Sequence, residues 1–372
     1  MHTNVLMIVT NAFRPDPRVA KEAEALTQEG YDVTILAWDR ERVFPEYDEY
    51  RGAKILRIRT GWAGSMFSFL INYPLFFIKG LITALYRNID VVHSHDFDTL
   101  PLAFIISWLR RIPLVFDAHE NYACMISIDV PHIVPRIVLR IENILTRRAD
   151  LVITVSEVHA THMIPNARHG VILVENCINM PTDIPEPIFE GQELKLLYVG
   201  TLEPMRYIIE SIDVTRTVND CIYKVAGWGR LEEEVRKRAD DKQIQFLGFL
   251  QHKDMLKEMA SCDVVICLLD PSNRNYIGNS PTKIYEAMSL GIPVLTTEGT
   301  TSGDLVNSEG CGLVIEWSEN NYRKAIEVFR DPSRRVGMGE AGRIAAKREY
   351  NWDNMKQRLL DGYLRILEDN DN

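Results

Sequence analysis

The stretch NVLMIVTNAFRPDPRVAKEAEALTQEGYDVTILAW, residues 4–38, decides the fold class of this chain. Its apolar runs at Val5–Thr10 and Val33–Trp38 are typical of buried strands, and the segment between them has the spacing of an amphipathic helix. Asp16 is suited to cap that helix and Pro17 to be its first residue. A strand, a helix and a second apolar strand in this order predict a parallel βαβ unit.

The same alternation of strands and helices continues along the chain, with one interruption. Residues 181–192 are rich in proline and lack periodicity, so we predict a linker there between two domains, 1–180 and 193–349. The tail 350–372 has helical spacing and is expected to cross back to the N-terminal domain. Further strands are predicted at Ile55–Arg59, Val91–His95, Leu114–Ala118, Leu151–Val155, Val171–Val174, Leu196–Val199, Tyr223–Ala226, Ile244–Leu247, Val264–Leu268, Pro293–Thr296 and Leu313–Ile315. The predicted fold class is therefore α/β, with two Rossmann-like, doubly wound parallel-sheet domains facing each other across a ligand-binding cleft.

The composition of the 372-residue chain limits the classes of function. A formal net charge of −10 disfavours a nucleic-acid-binding surface, so no nucleic-acid partner is expected. The six cysteines are scattered without a Cys-x-x-Cys pair, which is typical of reduced thiols rather than of a disulfide framework or a zinc site. No signal peptide is evident before the first strand, so we expect a cytoplasmic protein.

One apolar segment, Met66–Tyr86, has about the length of a membrane span. Asn72, Pro74 and Lys79 interrupt it, which argues against a spanning helix. The sequence leaves two further interpretations open, a buried or half-buried helix and a helix that touches the inner face of the cell membrane. Peripheral membrane contact is therefore one expectation for this chain.

The stretch NSPTKIYEAMSLGIPVL, residues 279–295, combines a helix start with two charges. Ser280 and Pro281 are suited to be the N-cap and the first helical residue, which places Lys283 in the first turn. Free backbone N–H groups and the helix dipole favour an anion at such an end, and Lys283 adds a positive charge. Glu286 lies about 4.5 Å further along the axis, where a carboxylate is suited to bind the vicinal hydroxyls of a ribose. These residues predict a nucleotide site, and the alternative is an ion pair between the two side chains worth ~0.3 kcal/mol.

The stretch SPTKIYEAMSLGIPV resembles the donor-binding motif of the retaining glycosyltransferases of family four, which have the GT-B fold. Other landmarks of that family match in the same order along nearly the whole chain. They are TNAFRPDPRVAKEAEALTQEGYDVTIL, DVVHSHDFDTLPLA, LVFDAHE, LYVGTLEPMR, VAGWGRLEEEV, IQFLGFLQHKDMLKEMASCDVVI and YNWDNMKQRLLDGYLRIL. No single motif identifies the family, but the order and spacing of all the motifs together are specific to it.

The resemblance implies that residues of the second domain hold the donor, a nucleoside diphosphate sugar. Lys283 matches the lysine that binds the diphosphate, and Glu286 matches the glutamate that binds the ribose. Arg206 matches a second cation on the diphosphate, and its alternative role is a solvated charge at a helix start. The family often has an arginine at or near Thr201, and this chain does not. The expected donor-binding residues are Gly200, Thr201, Gly227, Ser280, Thr282, Lys283 and Glu286.

In the first domain the resemblance implies that His119 is the active-site histidine. Its expected role is a hydrogen bond to a sugar hydroxyl or to charge that develops at the transition state. His95 ends an earlier strand and is expected close to it. The expected catalytic residues are His119, Lys283 and Arg206, and the expected acceptor-side residues are Arg14, Asp16 and His95, of which Asp16 has the alternative role of a helix cap.

No metal ligand is expected in this sequence. His93 and His95 share a strand face with a spacing that suits a metal, but no carboxylate cluster is evident near them. The tripeptide DFD, 96–98, is similar to the Asp-x-Asp metal motif of another glycosyltransferase fold, yet Asp98 and Thr99 are better suited to be the N-cap and first turn of a helix. In the GT-B interpretation a helix dipole and cations replace the metal. No cofactor is therefore expected, and activity is expected to survive EDTA.

The chain departs from the family at Gly278, where a glutamate that reaches the donor sugar is usual. We expect Asn279 or backbone groups to take its place. The predicted function is that of a hexosyltransferase-type glycosyltransferase, which moves a sugar from the nucleoside diphosphate donor to a hydroxyl of a glycan or lipid-linked acceptor. Retention of configuration is implied by the family. The alternatives are a nucleotide-sugar 2-epimerase and a non-catalytic sugar-nucleotide-binding homologue.

Overall fold

The computed structural model describes residues 3–14, 16–61, 66–127, 130–163, 167, 170–184, 187, 189, 193–240 and 242–368. The chain divides into two compact units, one formed by Met1–Val174 with Lys356–Asn372 and the other by Glu175–Met355. Each unit is built around a largely parallel sheet whose strands alternate with helices, so the predicted α/β class of two doubly wound domains is confirmed. The predicted linker, 181–192, lies partly outside the described residues.

The first unit contains an eight-stranded sheet in the order β3-β4-β2-β1-β5-β6-β7-β8. Its strands are β1 Asn4–Val9, β2 Asp32–Trp38, β3 Tyr47–Tyr50, β4 Ala53–Ile58, β5 Val91–His95, β6 Leu114–Ala118, β7 Leu151–Thr154 and β8 Val171–Leu173. The pairing of β3 with β4 is antiparallel, and the other described pairs are parallel. Sequence periodicity does not predict β3, because YDEY is polar and mostly exposed.

The central strands of this sheet determine where its polar residues meet. Strand β5 lies between β1 and β6, and nearly every residue of these strands is buried. Because neighbouring parallel strands end at the same edge of a sheet, the chain segments after Val9, His95 and Ala118 lie together.

The helices of the first unit are α1 Pro17–Gln28, α2 Met66–Leu85, α3 Leu100–Arg110, α4 Tyr122–Ile126, α5 Ile133–Thr146 and α6 Glu157–Met163. Asp16 caps α1, since its carboxylate accepts hydrogen bonds from the N–H groups of Arg18 and Val19 at 3.2 and 3.4 Å, and this prediction is confirmed. The predicted N-cap of α3 is wrong by one residue. Thr99 is the N-cap, because the carboxylate of Asp98 accepts a hydrogen bond from the hydroxyl of Thr10 instead.

Helix α2 has apolar residues both on the side that packs into the core and on the side that is exposed. Phe76 and Ala84 are buried in the core of the first unit, whereas the opposite side exposes Ile71, Leu75, Ile78, Ile82 and Leu85. The interpretation of this segment as a half-buried helix is confirmed. Within the described part of the chain, we find no helix whose length and apolar character would let it cross a membrane.

The second unit contains a six-stranded sheet in the order β11-β10-β9-β12-β13-β14, and its described pairs are all parallel. The strands are β9 Leu194–Thr201, β10 Cys221–Trp228, β11 Ile244–Gly248, β12 Val264–Cys267, β13 Val294–Thr297 and β14 Gly312–Ile315. The helices are α7 Ile208–Thr215, α8 Glu232–Arg238, α9 His252–Ala260, α10 Arg274–Ile277, α11 Thr282–Leu290, α12 Thr301–Glu309, α13 Glu319–Phe329 and α14 Pro332–Arg348.

The last helix, α15 Trp352–Glu368, spans the division between the two units. Its residues from Lys356 onward belong to the first unit, where Tyr363 is fully buried. The hydroxyl of Tyr363 lies 2.8 Å from Nδ1 of His93, so the C-terminal helix contributes a polar contact to the centre of the first sheet. Residues 369–372 of the predicted tail helix lie outside the described residues.

Candidate functional site

The second unit has a cavity of about 380 Å³ beside the carboxyl ends of β9 and β10 and the start of α11. This is the edge at which open α/β sheets bind ligands, and the volume suits a small molecule. The lining residues are Val199, Gly200, Thr201, Ala226, Gly227, Trp228, Phe249, Leu250, His252, Met255, Thr282, Lys283 and Glu286. All of the expected donor-binding residues except Ser280 therefore line one cavity.

The two glycines of the cavity allow a close approach of strand ends. Gly200 and Gly227 have φ angles of 135° and 147°, which L side chains rarely adopt. A Cβ on Gly227 would lie 1.8 Å from the carbonyl oxygen of Gly200, and a Cβ on Gly200 would lie 3.1 Å from Nζ of Lys283. Glycine at these positions keeps the two strand ends together and leaves room for the lysine side chain.

Helix α11 begins one residue later than the sequence predicted. Pro281 is its N-cap and Thr282 its first residue, so the prediction of Ser280 as N-cap is wrong. The buried hydroxyl of Ser280 bonds the hydroxyl of Tyr285 at 2.6 Å instead. Pro281 makes no side-chain hydrogen bond to this helix start, and none of the described side-chain hydrogen bonds caps it, so its first-turn N–H groups suit an external acceptor. A helix start without a side-chain cap is better suited to bind an anion.

Lys283 is held against the wall of the cavity by an aromatic ring. Its side chain is largely buried, and Nζ lies 3.9 Å from the centroid of the Tyr198 ring. The hydroxyl of Tyr198 donates a hydrogen bond to the carbonyl of Thr201 at 2.6 Å, which fixes the orientation of the ring. A ring face attracts the ammonium charge without a carboxylate that would neutralise it. None of the ion pairs within the described residues joins the ammonium group of Lys283 to a carboxylate, so this group remains available to an anion in the cavity.

Glu286 is also buried, and its partner was not predicted. Its Oε1 lies 2.8 Å from Nε2 of His252, the first residue of α9. Among the described ion pairs, Glu286 thus pairs with His252 and not with Lys283. Nothing in the spacing of His252 marks it, because the contact depends on how α9 packs against α11.

Arg206 does not line the cavity, although it lies near the same tyrosine as Lys283. Its Nε donates to the hydroxyl of Tyr276 at 3.3 Å, and its guanidinium lies 5.3 Å from the centroid of that ring. Burial lowers the pKa of Arg206, but Tyr198 and Tyr276 more than offset this and raise it. The side chain is a half-buried cation held by tyrosines rather than a solvated charge.

The first unit has a buried cluster of charged groups at the carboxyl ends of β5 and β6. Arg18 of α1 donates two hydrogen bonds to the carboxylate of Asp117, at 2.6 and 2.9 Å. His119 contacts a carboxylate with each ring nitrogen: Nε2 lies 2.8 Å from Asp117 and Nδ1 lies 3.2 Å from Asp96. Burial alone lowers the pKa of His119, but Asp96 and Asp117 more than offset it and hold the pKa well above its ordinary value. His119 is therefore a cation near pH 7.

Two further histidines lie deeper in this cluster. The rings of His93 and His95 are stacked with centroids 4.3 Å apart, and Nδ1 of His95 lies 3.3 Å from Asp117. Glu22 of α1 is fully buried beside them, and burial, followed by the charge of Asp117, raises the pKa of Glu22 to about 8. The sequence shows no carboxylate cluster at ligand spacing near the two histidines, but in the structure Glu22 and Asp117 both lie beside them. Sequence spacing cannot show this, since α1 and β6 bring them from distant positions.

The structure brings only some of the expected first-domain residues together. His95 and His119 have ring centroids 5.4 Å apart, as expected from strand order. The guanidinium of Arg14 lies 5.6 Å from the centroid of the Phe44 ring. Asp16 is engaged as the cap of α1.

Comparison with known families agrees with this arrangement. The family described as "Glycosyl transferase 4-like domain" matches residues 15–172, and the family described as "Glycosyl transferases group 1" matches residues 179–345. The chain belongs to the glycosyltransferases that resemble family four. The two matches together span most of the chain of this glycosyltransferase and include strands of both sheets.

One relative of this glycosyltransferase is the GDP-mannose-dependent monoacylated alpha-(1-6)-phosphatidylinositol monomannoside mannosyltransferase of Corynebacterium glutamicum. It is 32% identical over 143 residues, which are 37% of this chain and 37% of that protein. The chain thus matches little more than a third of the length of that relative.

Solved structures share the fold over the full length. Sucrose-phosphate synthase from Thermosynechococcus elongatus has a TM-score of 0.82 at 16% identity, covering 99% of this chain and 100% of that one. HepE of Anabaena in complex with UDP-glucose has a TM-score of 0.73 at 15% identity, covering 98% and 100%. At these identities the likeness concerns the GT-B fold.

Proposed function

We propose that this glycosyltransferase moves a hexosyl group from a nucleoside diphosphate sugar to a hydroxyl of a glycan or lipid-linked acceptor, with retention of configuration. The observation that carries the proposal is the cavity of the second unit, which is lined by the uncapped start of α11, Lys283 and Glu286. A helix start and a cation suit a diphosphate, and a buried carboxylate suits ribose hydroxyls. One cavity thus offers the groups that a nucleoside diphosphate requires.

The proposed donor class has support from similar proteins, which differ in the base. The name of the Corynebacterium relative specifies GDP-mannose, and the Anabaena structure holds UDP-glucose. In this chain Trp228 and Phe249 line the cavity with more than half of each side chain exposed, which offers an aromatic surface for a base of either kind.

The proposed chemistry is a substitution at the anomeric carbon of the donor sugar. The acceptor hydroxyl attacks that carbon, the bond from the carbon to the diphosphate oxygen breaks, and negative charge develops on the leaving diphosphate. Lys283 and the first N–H groups of α11 stabilise this charge. Arg206 lies outside the lining of the cavity, and its role as a second cation rests on the family resemblance. These groups supply the positive charge that a metal ion provides elsewhere, so we propose no cofactor for the transfer.

The proposed role of His119 follows from its contacts. Both ring nitrogens are engaged by Asp96 and Asp117, so we assign it a role as a fixed positive charge rather than as a donor to a sugar hydroxyl. The acceptor-side roles of Arg14 and Asp16 rest on the resemblance alone. The side chain of His95 is only 2% exposed, so we assign it no contact with the acceptor. Asn279 and backbone groups beside Gly278 are the proposed substitutes for the missing family glutamate.

A lipid-linked acceptor would agree with an apolar and basic surface on the first unit. Helix α3 packs between α2 and α5, and the exposed sides of these helices carry large apolar residues. On α5 the apolar residues alternate with Arg136 and Arg140, and Arg147 follows directly after the helix; these arginines suit anionic headgroups. We therefore propose peripheral contact of this surface with the inner face of the cell membrane.

Vesicle cosedimentation tests the membrane proposal. The wild type should bind vesicles that contain anionic lipid and bind phosphatidylcholine vesicles weakly, and the paired change Ile137→Glu with Ile141→Glu should abolish binding. The matched control is Val336→Glu, which changes an exposed apolar residue of α14 in the second unit. Equal binding by the paired variant and the wild type would refute the proposal.

Donor turnover tests the proposed reaction. The chain is incubated with a panel of nucleoside diphosphate sugars, with and without glycan and polyprenyl-phosphate-linked acceptors, and release of the nucleoside diphosphate is measured. Release that requires an acceptor supports transfer. Interconversion of sugar nucleotides without acceptor would support the epimerase, for which the comparisons give no support, and nucleotide binding without turnover would support the non-catalytic alternative.

A further inference from the structure

The buried cluster of the first unit contains donor atoms that the proposed transfer reaction does not use. Glu22, His93 and His95 are each at most 3% exposed. Among the described residues, neither carboxylate oxygen of Glu22 and neither Nε2 of the two histidines has a hydrogen-bond partner. Buried polar atoms nearly always have a partner, because leaving them without one destabilises the fold. Oε1 of Glu22 has an ion-pair partner in Arg18 at 3.3 Å, so Oε2 and the two Nε2 atoms are the ones that indicate a polar group bound among them.

The identity and orientation of the side chains point to a metal ion. Nδ1 of His93 bonds the hydroxyl of Tyr363 at 2.8 Å, and Nδ1 of His95 lies 3.3 Å from the carboxylate of Asp117. Each imidazole is thus anchored through one nitrogen and has the other without a partner. A histidine that binds a metal is typically fixed in this way by an oxygen on its second nitrogen.

The candidate ligand atoms lie near enough to one another to converge on one ion after a small movement of the side chains. Glu22, His93, His95 and Asp117 each offer a ligand atom, and these atoms all lie within 4.8 Å of one another. Oε2 of Glu22 lies 3.8 Å from Nε2 of His93. Zinc bonds of about 2.0–2.1 Å in tetrahedral geometry place ligand atoms about 3.4 Å apart. Binding an ion would therefore shorten the separation between Glu22 and His93 by about 0.4 Å, and the widest separation in the cluster by at most about 1.4 Å.

The neighbouring charges distinguish ligands from supporting residues. The oxygens of Asp117 already accept hydrogen bonds from Arg18 and His119, so Asp117 is suited to orient His95. Arg18 also lies 3.3 Å from Oε1 of Glu22, which directs Oε2 towards His93. Glu22, His93 and His95 therefore remain as ligands. They offer one carboxylate and two imidazole nitrogens.

We propose that Glu22, His93 and His95 form a buried site for a divalent transition-metal ion, for which zinc fits the donor set best. The ion joins α1 to β5 inside the first unit. It is separate from the donor cavity, whose lining residues all belong to the second unit. Its expected role is to stabilise the first unit rather than to bind the donor.

Metal analysis of the full chain, produced without a histidine tag, tests the proposal. After metal removal the protein is titrated with Zn²⁺, and with Co²⁺ as a spectroscopic probe. We expect one equivalent to bind per chain, with visible Co²⁺ bands of a four-coordinate nitrogen and oxygen site and a rise in Tm on binding. Failure of the wild type to bind a stoichiometric ion at micromolar concentration would overturn the proposal.

Variants locate the ion. Glu22→Gln and His93→Gln should each weaken Co²⁺ binding at least 100-fold. The matched control is His252→Gln, which removes a histidine that pairs with a carboxylate, Glu286, in the second unit and should leave Co²⁺ binding unchanged. If a buried variant does not fold, X-ray absorption of the wild-type zinc form decides instead. Two imidazole ligands support the site, and none would refute it.

Discussion

Replacing Lys283 by methionine tests the assignment of the diphosphate position. Methionine keeps most of the side-chain length and can stay in contact with the Tyr198 ring, but it removes the charge. Hydrogen bonds to charged groups contribute about 1.5–3 kcal/mol. Because Lys283 is only 9% exposed, solvent screens it little, and we expect a loss near the upper end, about 2–3 kcal/mol. That corresponds to roughly 30- to 150-fold weaker binding of a nucleoside diphosphate.

Isothermal titration calorimetry measures this loss without knowledge of the sugar or acceptor. UDP and GDP are titrated into the wild type and Lys283→Met, and the tighter ligand is then compared with its own nucleoside. The nucleoside has no phosphates, so its affinity should change less than about twofold in the variant. The matched control is Lys257→Met on α9, whose side chain is 58% exposed and pairs with Asp254 at 3.2 Å. This exposed pair should contribute little.

Two results would refute the reasoning about Lys283. Unchanged affinity of the nucleoside diphosphate would show that the ammonium does not contact the phosphates. An equal loss for nucleoside and nucleoside diphosphate would show that the variant damages the whole cavity rather than the diphosphate position. A thermal unfolding scan separates the second case from general loss of the fold.

Three further predictions follow from single side chains. Glu286→Gln should weaken binding of the ribonucleotide about 10- to 100-fold and abolish the preference of the wild type for ribose over 2′-deoxyribose in competition titrations, and a retained preference would contradict the ribose contact. Burial, followed by the charge of Asp96, raises the pKa of Glu142 in the folded state to about 7 from 4.5, so ionisation of Glu142 should reduce stability as pH rises through this range. Urea unfolding measures this effect. The free energy of unfolding of Glu142→Gln, relative to that of the wild type, should rise by about 3 kcal/mol between pH 4.5 and 8. A difference between the two proteins that does not change with pH would be inconsistent with a raised pKa. Gly227→Ala should lower Tm by several degrees, because its Cβ would lie 1.8 Å from a carbonyl oxygen, whereas Gly337→Ala in α14 meets open space and should not lower Tm.

Much of the fold could be predicted from the sequence because its strands are continuous apolar runs. Helix starts were less certain, since neighbouring residues compete for the same role. Ser280 has a side chain suited to cap α11, but a tertiary contact with Tyr285 engages its hydroxyl. Likewise Asp98 bonds Thr10 of another segment instead of capping α3. In both cases a contact from distant sequence outweighs a local preference.

The donor cavity could be predicted in outline and the buried cluster could not. Lys283 and Glu286 lie in one motif, so their spacing on a helix is enough to place them together. The partner of Glu286, His252, comes from another helix and carries no signal in the sequence. Glu22 resembles any charged residue of an amphipathic helix, and only the packing of α1 against the sheet places it beside His93.

A crystal structure of the chain with a bound nucleoside diphosphate tests the central claim most directly. We predict that the diphosphate lies at the start of α11, with its oxygens within hydrogen-bond distance of Nζ of Lys283. We predict that the ribose hydroxyls contact the carboxylate of Glu286. A nucleotide bound outside this cavity, or bound in it with the ribose away from Glu286, would contradict the proposed donor site.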